Sequence, residues 1–279
     1  MYKQAYSSLV SLALLGMFLS LIILAFSYHS IPVNPTFFIV LLSLLGIIAL
    51  CLMYRYICIP FLFATFSVLS ILRILGLHKC FVPMMPVIIS LVCLVILFFY
   101  IAYHDVKKTP IILRGTPQEM FEMSAYEWHL SFIRLYVGFD LIAHCTEKLF
   151  AGKVPFQADV TAFMHLNVMD PTLFVRFSGL CELAGVISLG LGLLTRVGAI
   201  GTSLYLIVAT IIGHHFLKGF IWALPGGGWE YPVMWSVFIL SYVVLGADEF
   251  SIDGVLDKNF NLPIWLKRLM GVMESDGKI

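Results

Sequence analysis

Charge is what this chain has least of. Asp, Glu, Lys and Arg make up 12% of its 279 residues, and apolar residues make up 61%. Soluble domains carry roughly 25% charged and 45–50% apolar residues. With a mean hydropathy of +0.98, the apolar surface is too large to hide in a soluble particle of this size, but it can face lipid. The formal charge is +1, and no basic block is long enough for nucleic acid. The six cysteines (Cys51, Cys58, Cys80, Cys93, Cys145, Cys181) form no CxxC, which argues against a disulfide oxidoreductase or a thiolate zinc site. HxxxH, HExxH, GxxxxGK[ST] and GxSxG are missing, as is a GxGxxG between strand and helix. No flavin- or nicotinamide-binding domain fits. Alternating polarity is also absent, so a β-barrel is not expected.

What the chain has in excess is apolar runs. A helix crosses the bilayer core in about 20 residues, and eight runs qualify: 8–27, 36–54, 57–77, 84–103, 129–150, 172–193, 197–217 and 231–247. Lipid offers the backbone no hydrogen-bond partner, so helices are the default. The expected fold is an all-α polytopic membrane bundle of two four-helix halves. The first run is read as a span, not a cleaved signal peptide, because no small-residue cleavage site clearly follows it. Residues 1–103 form the first half, 104–127 a cytoplasmic linker, 128–258 the second half and 259–279 a cytoplasmic interfacial tail.

Orientation follows from Lys and Arg placement. With the N-terminus inside, ten cations fall on the inner side: Lys3, Arg55, Lys107, Lys108, Arg114, Arg196, Lys258, Lys267, Arg268 and Lys278. Six fall outside: Arg73, Lys79, Lys148, Lys153, Arg176 and Lys218. Both termini are therefore expected in the cytoplasm. The halves are weakly alike. Arg55 and Arg196 each stand between two spans, the last spans open with PVIISLV and PVMWSVF, and they close on Asp105 and Asp248. Such repeats are common in membrane folds, and chance likeness between Leu-rich helices is the alternative. Two segments should lie on the membrane. Residues 155–169 set Phe156, Val160, Phe163 and Met164 at helical spacing; residues 263–273 put Trp265 beside Lys267 and Arg268.

The fifth span holds the chemistry. FIRLYVGFDLIAHCTEKLF carries Arg134, Asp140, His144, Glu147 and Lys148. A charge at the bilayer centre costs roughly 2.5–3.5 kcal/mol on insertion scales, so this helix must face protein or a wet cavity. Asp140, His144 and Glu147 share one face. Arg134 points about 120° away from Asp140 and needs a partner on another helix; Glu182 in the sixth span is the expected one. Glu230 stands at the outer start of the eighth span, after Gly226, Gly227 and Gly228, between the interfacial aromatics Trp229 and Tyr231. On this topology His29, His78, His144, His165, His214 and His215 lie outside, and His104 and His129 inside. His214 and His215 diverge by about 100° on a helix, which does not favour a shared metal, and no metal site is assigned.

Residues 130–255 resemble the DoxX/DoxD family of small four-span membrane proteins. The matching pieces, in order, are RLYVGFDLIAHCTEKLF, the stretch with Phe156, ELAGVISLGLGLLTR with Glu182 and Arg196, GGWEYPVMW with Glu230, and GADEFSIDG with Asp253. The closing piece reads GADEF where the family is glycine-rich, and the first half lacks the motif residues. One branch of the family is the membrane subunit of a thiosulfate:quinone oxidoreductase. Other members look like partners in thiol or oxidative-stress complexes, and eukaryotic relatives act as cargo receptors.

Three readings follow. In the first, the chain is a quinone-linked redox subunit working with another protein subunit. Arg134 and Glu182 set the charge of a pocket. Asp140, His144 and Glu230 handle protons, with His144 and Glu147 exchanging them with the outer side. Lys148, His214, Trp229 and Tyr231 complete the lining. In the second, the chain is a non-catalytic scaffold whose buried ions fix helix register, alone or as an oligomer. In the third, it is a small-solute carrier. Cys145 and Cys181, both in the charged half, are the thiols to watch.

Overall fold

The structure, a computed structural model, describes residues 2–27, 31–108 and 121–272. His29, Arg114, Lys278, residues 109–120 of the expected linker and 273–279 of the expected tail lie outside the described residues. The chain is an all-α polytopic membrane bundle. Among the described residues, six helices are long and apolar enough to cross a membrane: α1 (Tyr2–Ser27), α2 (Val33–Leu52), α3 (Cys58–Leu77), α4 (Phe81–Val106), α7 (Pro171–Gly185, with its continuation to Gly190) and α8 (Thr195–Ile212). α10 (Glu230–Leu245) is apolar but shorter. α5 (Ala125–Leu149) has 25 residues, long enough to span, and carries the charges. The short helices are α6 (Lys153–Met164), α9 (His215–Lys218), α11 (Ile252–Asn259) and α12 (Ile264–Met270).

Local chemistry sets the ends. α5 begins at Ala125, ahead of the expected 129, because Ser124 and Glu127 form a capping box. The Ser124 hydroxyl accepts from the Glu127 amide at 3.2 Å, and the Glu127 carboxylate accepts from the Ser124 amide at 2.6 Å. At α7, Asp170 caps the Leu173 amide at 3.0 Å and Pro171 takes the first turn, where no N–H is needed. Pro86, expected to open the fourth span, lies inside α4 because that helix already starts at Phe81.

The chain divides into two compact units, residues 1–130 with 142–156, and residues 131–141 with 157–279. The division runs within α5. In the first unit α1 packs along α4 and α2 along α3. Small and hydroxyl-bearing residues make this approach. A Cβ at Gly16 would meet Pro86 and Ser90 of α4. Ser90 donates to the Ala13 carbonyl at 2.8 Å, Ser20 to that of Pro83 at 2.9 Å and Tyr6 to that of Met53 at 2.9 Å. Large apolar residues such as Leu15, Phe18 and Ile22 of α1 point outward. Small inside and bulky outside is the pattern of helices packed in lipid.

In the second unit α8 packs on α10 and on α7. α7 runs into a π-helical turn at Val186–Gly190, and an irregular stretch precedes α8. There α5 crosses at backbone contact: a Cβ on Gly138 would strike the Gly190 amide and the Leu189 carbonyl carbon. Overpacking costs typically about 1–3 kcal/mol, and here the obstacle is backbone. Gly138→Val is expected to lower the thermal midpoint and folded yield sharply in size-exclusion and unfolding assays. Gly201→Ala, on α8 with open space around it, should be neutral or gain up to about 1 kcal/mol of helix propensity.

Candidate functional site

The break between α7 and α8 leaves carbonyls at one helix end and amides at the start of the next. Arg134, fully buried on α5, fills the first need. Its Nη1 donates to the Leu189 carbonyl and its Nη2 to that of Phe250 at 2.7 Å. Its Nε and Nη2 hold the Asp248 carboxylate at 2.8 and 3.3 Å, a two-pronged pair. Asp253, equally buried, fills the second need. It accepts from the Leu194 and Thr195 amides at 2.9 and 2.8 Å and from the Thr195 hydroxyl at 2.9 Å. Burial pushes the Asp253 carboxyl above the ordinary carboxylate range, while the Thr195 and Leu194 donors and the Arg134 charge pull it the other way. The Ile252 and Asp253 amides donate to the Leu191 and Gly192 carbonyls at 3.1 and 2.8 Å. Gly192 has a φ of +72° and lies against Ser251 and Arg134, so a side chain there has neither the conformation nor the space.

Glu182 is a second buried acid, seven positions before Leu189, about 10 Å along α7. The Tyr205 hydroxyl of α8 donates to its Oε1 at 2.6 Å, and Ser178, one turn earlier, donates to the same oxygen at 3.4 Å. The two hydroxyls lie 2.9 Å apart. Here the sequence expectation is corrected: Asp248, not Glu182, is the ion-pair partner of Arg134, and Glu182 is not alone. Helix level explains it. Arg134 stands where α7 ends, and Glu182 stands deeper, facing Tyr205.

Asp140 forms a third polar group with α10. The Tyr231 hydroxyl donates to its Oδ2 at 2.9 Å. Trp222 and Trp235 flank the Tyr231 ring, with centroids at 5.8 and 5.5 Å, and the Trp235 indole N–H donates to the Val137 carbonyl at 3.1 Å. Glu230 opens α10 and reaches back over the preceding loop, accepting from the Trp222 amide at 3.2 Å. Trp229 packs on Phe220 at 4.7 Å, and its amide donates to the Gly219 carbonyl at 3.1 Å. His214 is exposed with a left-handed backbone, and His215 bonds the Gly227 carbonyl at 2.8 Å.

The remaining charged residues of α5 lie in the first unit. Glu147 takes an ion pair from Arg73 of α3. His144 Nδ1 lies 3.8 Å and Lys148 Nζ 3.9 Å from the other carboxylate oxygen. Arg73 also donates to the Ala143 carbonyl at 3.1 Å. The three acids and bases expected on one α5 face are therefore held by different partners: Asp140 by Tyr231, and His144 and Glu147 in the cluster with Arg73.

Arg73, Ser178, Thr195 and Tyr205 do not stand out as site residues in the sequence, and Asp248 and Asp253 stand there as span-end acids without a visible role. Arg73 carried a signal, as the cation of a nearly uncharged span on the same expected side as Glu147. Cys145 is buried, with its thiol directed at the Ile142 carbonyl at 3.6 Å, and Cys181 is half-buried.

These features define a class: a helical membrane protein whose second unit is closed by an internal ion pair and holds two carboxylate–phenol pairs. The chain belongs to the DoxX family, whose model matches residues 129–215, from the start of α5 to the start of α9. A Haemophilus influenzae protein named only "Uncharacterized protein" is 30% identical over 126 residues, covering 45% of this chain and 89% of that relative. No solved structure matches the chain.

Breaking a buried pair from one side typically costs about 3–5 kcal/mol, because the other charge stays buried. Arg134→Gln and Asp248→Asn are each expected to cut folded yield and thermal midpoint strongly. The double variant Arg134→Gln with Asp248→Asn should lose less than the sum of the two single losses, which closes a double-mutant cycle.

Proposed function

We propose that this protein is the membrane subunit of a quinone-linked redox system, working with a donor subunit that oxidises a sulfur compound. The reading places it in a bacterial inner membrane with both termini cytoplasmic, supported by the ten-to-six excess of Lys and Arg on that side. The observation that carries it is the Asp140–Tyr231 pair beside the Trp222 and Trp235 rings. A quinone ring is flat and apolar with two carbonyl acceptors, so indole faces and a phenol donor suit it. Its reduction consumes two electrons, supplied by the donor subunit, and two protons. The chain's own residues would serve the protons: the Tyr231 hydroxyl, which now donates to Asp140, would turn to the ring and pass on two protons in succession, each replaced by one that Asp140 relays from water. Glu182 with Tyr205 is a second carboxylate–phenol pair of the same chemistry.

Arg134 favours a second reading, a non-catalytic scaffold. All three of its guanidinium nitrogens are committed to protein acceptors, which suits helix register more than ligand binding.

Extraction of quinone from the purified full chain separates the two. About one quinone per chain is expected, with Tyr231→Phe lowering occupancy roughly tenfold, the weight of one good hydrogen bond, at unchanged thermal midpoint. Equal occupancy in the variant overturns the assignment of Tyr231. A quinone-free chain that captures a stable subunit supports the scaffold. In the assembled complex Glu182→Gln should fold normally and lose quinone-linked turnover; full turnover would remove Glu182 from proton handling.

A further inference from the structure

α12 is too short to span a membrane, and it wears its apolar residues outward. Ile264, Trp265 and Leu269 are 58%, 64% and 40% exposed. Together with Arg268 they fill an arc of about 140° by the helical period. The opposite side is the buried one, with Met270 at 1%. In water alone this would be an inverted helix.

Its docking is specific. The Arg196 guanidinium, from the first turn of α8, donates to the Arg268 carbonyl at 2.9 Å. Gly271, left-handed with a φ of +82°, touches Gly246 at the end of α10 backbone to backbone. Lys267 is pinned by Asp257 at 2.8 Å. α12 is thus tied to the points where two spans, α8 and α10, end. At that level the one medium always present is the bilayer surface. The outward arc offers it a Trp ring, two aliphatic side chains and a cation, and Arg268 docks to Arg196 through its backbone carbonyl.

We propose that the outward face of α12 is a binding surface for anionic bilayer lipid. Ile264, Trp265 and Leu269 enter the acyl–headgroup boundary, and the Arg268 guanidinium binds the headgroup phosphate. The anionic surface makes the contact selective, because one Arg near such a surface adds about fivefold in affinity.

The test uses the full chain in nanodiscs of phosphatidylglycerol or phosphatidylcholine, each brominated near the headgroup. Trp265 emission is taken as the difference between the chain and its Trp265→Phe variant. Stronger quenching by the brominated phosphatidylglycerol is expected, with the difference between lipids lost in Arg268→Gln. That substitution leaves the carbonyl contact to Arg196 intact, and an unchanged thermal midpoint checks it. Equal quenching by both lipids overturns the selectivity. No quenching by either overturns the surface, and assigns the face to a protein partner or a second copy.

Discussion

The structure turns on what a guanidinium requires in a medium with no water. Arg134 cannot lose its proton, and lipid cannot solvate it. Every bond it needs must come from the protein. Leu189 and Phe250 supply carbonyls and Asp248 supplies the countercharge. Three distant stretches of chain are thereby drawn to one point. Asp253 performs the complementary task a few residues later, on the free amides at the start of α8. A helix end and a helix start are both satisfied by side chains where lipid would leave them bare. Neither group is spare, which is why the case for chemistry moves to Asp140, Glu182 and their phenols.

The two units are held by different means. In the first, hydroxyls of Tyr6, Ser20 and Ser90 reach neighbouring carbonyls. Such bonds within membranes average about 0.6 kcal/mol each, so close helix contact must supply most of the cohesion, and Gly16 permits it. The second unit uses the same devices at Gly138 and Ser203 and adds buried ions. Pro86–Ser90 and Pro232–Ser236 repeat one pattern, each Ser hydroxyl donating to the Pro carbonyl four residues before. The local device is shared; the Arg134–Asp248 pair closes the second unit, and the more exposed Arg73–Glu147 pair belongs to the first.

Much of the fold could be read from residue types, because lipid punishes exceptions. Eight runs of sufficient length correspond to α1–α5, α7, α8 and α10, and the charges of α5 correctly demanded partners. Which partners was a different question. Period and hydropathy fix the face of a residue, not its depth against another helix. Asp248 lies 114 positions from Arg134 and reads as an ordinary acid at a span's end. Tyr205 reads as one more aromatic of an apolar helix. The π turn at 186–190 ends the regular helix near Leu189, and it is that carbonyl of the sixth span, not the Glu182 side chain, that Arg134 meets.

Depth also separates structural from chemical acids. Arg134 and Asp248 meet where helices end, so their pairing answers an obligation the backbone has already created. Asp140 and Glu182 stand roughly 9 and 10 Å further along their helices, counted from Arg134 and Leu189. No helix end there requires an acid. A leucine at either place would insert at lower cost and pack as well. Each carboxylate is bonded to a phenol instead, half-buried at Asp140 and fully buried at Glu182, at a depth where no helix end claims its charge.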